Sequence, residues 1–508
     1  MKPLARFAAL IVLGVCGCAQ VPGRPGAIEA GAVDSERACA GLYAATDRTV
    51  LRAGASDGEA ARVEGFAYLR VNRLLASFAA EPMSAAQFDA WVRRLRALDR
   101  NARRFELANL PPAEQARLRH EHGALVNEHG GLEEALAACA AMLAARDLAL
   151  PGARATLRQR AVVPDDYDQW QRIVGLYWLT RIPFASGVRD YQREVEASFA
   201  MPLEQLAVQG RLRVYEPTGA GAVSASEQTA ILASAPLDPL GIPELAPVDL
   251  EALFDAHAPI WVVDTRDEND RLGALLPGED RTLRVDTTTP VVYRRAAYTR
   301  YAQHTLLQLV YSVWLPARPR TSAFDLLGGH LDGVIWRVTL APDGTPLVYD
   351  SIHSCGCYQQ FFPTSRAQLL PQPDTLDEIA FVPQHLEPLP PGQRVALRIA
   401  SGTHYVQRVS TAQTAGEGEG KTEGAVLAFR DDDTLRSLPE AAGQHHSAFR
   451  PDGIVPGSER GERYIFWPMG VREPGAMRQW GRHATAFIGR RHFDEARLMQ
   501  RYFHLQLE

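Results

Sequence analysis

An α+β chain, helices first and strands after, is what three observations predict. Residues 34–216 carry apolar side chains at helical spacing, residues 217–247 are dense in Pro, Ala, Gly and Ser, and residues 248–508 show short apolar runs between turn residues. These read in turn as a helical domain, a linker and a β-rich α+β domain. At 508 residues one core of ordinary size is too small for the chain. With 46% hydrophobic and 22% charged residues, most of it should fold.

The helices have local signatures. Ser84 can cap a helix that carries Phe88, Trp91, Leu95 and Leu98 on one face, and the Pro111-Pro112 pair starts the next. Leu132, Leu136, Cys139 and Leu143 mark a further apolar stripe. In the later region Val334–Leu340 and Leu347–His353 flank Ala341-Pro342-Asp343-Gly344-Thr345, which suits a type I turn with a Gly bulge. Pairing Ala341 with Thr345 places Val334, Trp336, Val338, Leu340, Val348 and Ile352 on one face. Arg337, Thr339, Tyr349, Ser351 and His353 take the other, so His353 is expected to point to solvent or a cleft.

The N-terminus adds an address. Lys2 and Arg6 precede a short apolar run, and Leu13-Gly14-Val15-Cys16-Gly17-Cys18 follows. This resembles the signal peptide of a bacterial lipoprotein, over residues 1–18 alone. The resemblance implies loss of residues 1–17, acylation of Cys18 with chains such as palmitate, and a flexible tether over 18–33. Ala19, where an Asp would retain the protein at the inner membrane, implies the outer membrane and its periplasmic face. The densest later apolar run, Leu306–Leu315, is too short to span a bilayer.

Export narrows the cysteine chemistry. With Cys16 discarded and Cys18 acylated, Cys39, Cys139, Cys355 and Cys357 remain, in a space where disulfides persist. Cys39 and Cys139 both fall on apolar helical stripes, which predicts a bridge between two helices. Cys355-Gly356-Cys357 stays open between a disulfide or inert thiols, a metal site and a nucleophile. His330, Asp332, His353, Cys355 and Cys357 are of the types that hold zinc, although the one-residue spacing matches no finger pattern and strand parity separates His330 and Asp332 from His353. His304 with Gln308 resembles part of a zinc-protease helix, without its Glu or second His.

Charge limits the partners. A formal net charge of −6 argues against nucleic acid. Ala415–Thr422 has the outline of a phosphate loop, but two glutamates would repel phosphate and a strand, not a helix, follows, so no nucleotide is expected. Arg478, Arg482, Arg490 and Arg491 could hold an anionic envelope ligand, or pair with acidic runs such as Asp431-Asp432-Asp433. No complete catalytic constellation appears. The reading is therefore a non-catalytic binding or scaffold lipoprotein that meets the membrane through its lipid and binds an envelope ligand or protein partner. The alternative is an envelope hydrolase, metal- or thiol-dependent, centred on His353 and the Cys355–Cys357 turn.

Overall fold

The computed structural model describes residues 26–218, 223–278, 282–389, 393–411, 423–440 and 443–507, with backbone alone for 26–33 and 423. Cys18 with the lipobox, and Ala415–Thr422, lie outside the described residues. The fold is α+β, with helices crowded into the first part and a large mixed sheet in the later part.

Four helices organise the first part: α1 (Gly26–Ala53), α2 (Ala85–Ala108), α3 (Leu132–Asp147) and α4 (Tyr177–Ala200). The first begins inside the stretch expected to be a tether. Ser84 caps α2 through a full capping box with Gln87, which satisfies two end groups reciprocally. Leu132, Leu136, Cys139 and Leu143 of α3 are all buried, and Cys139 bridges to Cys39 of α1. Inside this core Arg70 spans Asp99 (3.2 Å) and Glu106 (2.6 Å), so charges of both signs are buried together.

Ten strands form the main sheet: β1 (Arg211–Pro217), β2 (Ile260–Thr265), β3 (Val291–Tyr301), β4 (His304–Arg318), β5 (Gly329–Leu340), β6 (Pro346–His353), β7 (Gln360–Pro363), β8 (Val395–Ile399), β9 (Val406–Thr411) and β10 (Glu423–Asp431). Their order is β7-β6-β5-β4-β3-β10-β1-β2-β8-β9. Three pairs are parallel, β2 with β8 and β10 with both β1 and β3, and the rest are antiparallel. The apolar run Leu306–Leu315 is the body of β4, which starts at exposed His304 and is then covered on both faces.

Two boundaries differ from expectation. β1 belongs to the sheet although it falls in the stretch read as helical. The 217–247 segment is not a free linker: it holds a helix at Ala225–Ser234, and Leu240 and Ile242 bury in the helical core. Asp238 fixes that insertion, accepting from the N–H groups of Leu240 and Ile242 and pairing with Arg94.

Ion pairs tie the helical part to the sheet. Arg295 of β3 meets Glu59 (2.8 Å), Asp432 (3.0 Å) and Asp433 (2.9 Å), and Arg436 meets Asp57 (2.6 Å). Among the described residues no single helix is long and apolar enough to cross a membrane.

Candidate functional site

The site is organised by a slip in one hairpin. The turn forms as expected: the Ala341 N–H reaches the Thr345 carbonyl at 2.8 Å, and Gly344 has φ 83°. Beyond it the register shifts, with Pro346 opposite Leu340 but Val348 opposite Thr339, so Leu347 is an extra residue. Pro346 has no N–H to give the ladder. The Leu347 carbonyl is instead taken by Thr364, and its side chain is fully buried beside Phe361.

One extra residue flips every later side chain. Tyr349, Ser351 and His353 join Val334, Trp336 and Val338, whereas Val348 and Ile352 join Arg337 on the opposite face. That reverses the expected faces of β6. Both faces of the hairpin are covered, so His353 is buried at 3% exposure and not turned to solvent. The slip also puts Asp332 on the His353 face, 3.4 Å from its Nδ1, which removes the parity objection.

Asp332 is the hub of a buried polar cluster. One carboxylate oxygen accepts from His404 Nδ1 at 2.8 Å, and the other lies 3.3 Å from Arg460 and accepts the Gly333 N–H at 3.0 Å. His404 Nε2 meets Asp270 at 3.2 Å, and Asp270 also accepts the N–H groups of Gly402 and Arg266. A carboxylate on each ring nitrogen favours the imidazolium, in which both nitrogens donate. Burial opposes that charge, but bonding to Asp270 and Asp332 outweighs it, and the His404 pKa is raised. Burial likewise works against the Asp332 carboxylate, yet Arg460 and His353 hold it well below the usual range. Burial dominates at His353 and lowers its pKa.

Stability should register this. The His404 contribution is fully present below the unfolded histidine pKa of about 6.5 and is lost as pH rises through the higher folded value. The expected Tm gap between the wild type and His404→Gln is therefore widest below pH 6.5 and shrinks at higher pH. Thermal denaturation across pH 5–9 checks the sign, and a gap that widens upward contradicts the imidazolium.

Aromatic groups separate this cluster from a cavity. The His353 ring lies edge-on to Tyr358 (5.0 Å) and Tyr405 (5.7 Å), and Arg318 reaches the Tyr405 hydroxyl at 3.3 Å. Leu331, Tyr358 and His404 all have φ near +60°, a costly region for such side chains. Beyond the tyrosines lies a cavity of about 590 Å³, walled by Phe184, Val188 and Tyr191 of α4 and by Phe381, Phe466 and Phe487, with Cys355, Cys357 and Glu462 among its polar or reactive groups.

The thiols project from a tight turn. His353 N–H donates to the Cys357 carbonyl at 3.0 Å and Gly356 N–H to the His353 carbonyl at 2.7 Å. Gly356 has φ 94°, and a Cβ there would lie 2.5 Å from the Ala484 carbonyl, so only glycine fits. The Cys357 N–H points at Cys355 Sγ, 3.4 Å away. Glu462 is 4% exposed, and its carboxyl forms no hydrogen bond or ion pair among the described residues. Burial pushes it up to about 7 despite Arg460 and Arg318. A Cβ at Gly475 would overlap that carboxyl, 1.8 Å from one oxygen.

The five residues read as a zinc set do not assemble. His330 is exposed and bonds the Leu283 carbonyl, Asp332 is occupied by His404, His353 and Arg460, and the thiols face the cavity. Among the described residues no group of three or more His, Cys, Asp or Glu converges as a metal site needs. The arginine patch also dissolves. Arg478 holds the Cys355 and Glu473 carbonyls, Arg482 holds Gly58, Arg490 pairs with Asp165, and Arg491 bonds Thr485 and the Ile379 carbonyl. Of the acidic run, Asp432 and Asp433 are taken by Arg295 and Arg436 instead, and Asp431 accepts the Asp433 N–H.

His404, Asp270, Arg460, Glu462, Tyr358 and Tyr405 are the participants that the sequence reading missed. His404 and Glu462 stand in short Gly-containing turns, Ser401–Tyr405 and Gly457–Glu462, with no periodicity to mark them as buried. No family model, curated protein or solved structure matches this chain.

Proposed function

We propose that the chain is a lipid-anchored protein of the bacterial cell envelope that binds a small, largely apolar molecule in the cavity beside α4. The observation that carries this is the cavity itself. At about 590 Å³, with aromatic walls and a few buried polar groups, it has the size and lining of small-molecule sites. Its surroundings support the reading. The start of α4 and the short helix before it expose Trp170 (69%), Trp178 (68%), Ile173 and Leu179, and the same α4 continues into the cavity wall. Exposed apolar patches of this kind mark interaction surfaces, and tryptophan suits the boundary between membrane and water. An acylated Cys18 would keep such a surface near a bilayer.

The hydrolase alternative gains nothing from the geometry. His353 sits behind Tyr358 and Tyr405, and no hydrogen bond joins it to either sulfur among the described residues. The test uses Gly187, which lines the cavity from α4 and whose Cβ would meet no atom within 4 Å. Gly187→Trp should fill the cavity and weaken binding of N-phenyl-1-naphthylamine about tenfold or more, with the thermal midpoint preserved. Equal binding by both proteins, or none by the wild type, overturns the proposal.

A further inference from the structure

We infer that Cys355 and Cys357 form a thiol–disulfide exchange site in the cavity wall, with Glu462 as its proton carrier and a small organic disulfide as its oxidant. This goes beyond ligand binding and rests on that reading only in needing the cavity to admit a small molecule.

Three independent observations converge. The two cysteines lie one residue apart on a turn that Gly356 alone can make, and both line the cavity. They are unequal. The Cys357 N–H points at Cys355 Sγ, 3.4 Å away, so one sulfur accepts a backbone donor that the other lacks among the described residues. Hydrogen bonding from Cys357 thus holds the Cys355 thiol below its ordinary range against burial, with help from Arg460, while that same bond and burial push Cys357 well above it. Such asymmetry suits an attacking and a resolving thiol. The third observation is Glu462, an unpartnered carboxyl 4% exposed in the same wall, near enough for its charge to act on both sulfurs. A carboxyl this buried that makes no hydrogen bond to the protein around it calls for a reason, and its place in the cavity wall puts it within reach of whatever enters there.

The chemistry balances. The Cys355 thiolate attacks one sulfur of R–S–S–R, the S–S bond breaks, and the leaving RS⁻ takes up the proton that Cys355 has lost. Cys357 then gives its proton to the Glu462 carboxylate and attacks Cys355 Sγ. The Cys355–Cys357 bond forms, the second RS⁻ departs, and Glu462 hands it the proton. Two electrons pass from the protein dithiol to the disulfide, yielding two thiols.

The test equilibrates the full chain with bis(2-hydroxyethyl) disulfide and its thiol at graded ratios, then maps peptides by mass spectrometry without reduction. A reversible Cys355–Cys357 link is expected, with the Cys39–Cys139 bridge unchanged. Cys357→Ser should stop at a mixed disulfide on Cys355, and Cys355→Ser should form no rapid adduct. Glu462→Gln should slow exchange about tenfold or more at pH 7 and flatten its pH profile around that value. The wild-type equilibrium needs no variant to fold. No link at any ratio, with both thiols alkylated normally after denaturation, overturns the inference, as does an unchanged pH profile in Glu462→Gln for the role of that carboxyl. Exchange without naphthylamine binding would sink only the apolar-ligand reading, and binding without exchange only this one.

Discussion

Asp332→Ala is expected to destabilise the protein by about 3–5 kcal/mol, the range for removing one partner of a buried charge cluster. Asp332 is fully buried, and three donors converge on it: the His404 imidazolium, the Arg460 guanidinium and the Gly333 N–H. Alanine takes this acceptor from all three in a dry interior, leaving His404 only Asp270 and Arg460 only the Leu327 and Leu331 carbonyls. Asp332→Asn should cost less, about 1–3 kcal/mol. Its amide oxygen can still serve Arg460 and Gly333. Its NH₂ can donate to His404 Nδ1 once that histidine becomes neutral and keeps its proton on Nε2, toward Asp270. The asparagine variant should therefore also lose the pH dependence assigned to His404, a coupling that chemical denaturation at pH 6 and pH 9 measures directly. Equal losses for Ala and Asn would mean that the lost charge alone, not the hydrogen bonds and packing that asparagine keeps, sets the cost.

The same residues show what could be read from the chain. The Ser84 capping box, the Leu132–Leu143 stripe and the Pro342-Asp343-Gly344 turn depend on neighbours within a few positions, and each is where its local chemistry puts it. The extra residue at Leu347 is not local in this sense. It is set by Thr364 capturing the Leu347 carbonyl and by burial against Phe361, both from strands later in the chain. That single residue decided whether His353 faced water or Asp332. The arginines misled for a related reason: a guanidinium bonding to backbone carbonyls of coiled segments looks, in sequence, like one waiting for an anion. Asp270, Asp332 and His404 come together across 72 and 134 residues, and the cavity walls come from α4 and from turns near residues 356, 462 and 486. Sheet closure makes these neighbours, and no short-range pattern records it.

Cys39→Ala/Cys139→Ala should lower stability by a comparable amount, about 4–5 kcal/mol in the chain-entropy account of a loop this long. The bridge closes a separation of 100 residues and joins α1 to α3, the two ends of the helical core. Both cysteines are fully buried, so alanine adds no unsatisfied polar group and the measured loss reports chiefly the cross-link. The double variant is also a cleaner probe than a reductant, which would act on Cys355 and Cys357 as well. Guanidinium unfolding followed by far-ultraviolet circular dichroism should show the helical part melting earlier in the variant. This result bears on the proposed address. Disulfides of this structural kind form and are kept chiefly in oxidising compartments. Wild-type chain held in a reducing cytoplasm should therefore unfold like the variant, and exported chain should recover the full difference. If the cytoplasmic and exported forms are equally stable, the bridge contributes nothing and its support for export through the lipobox disappears.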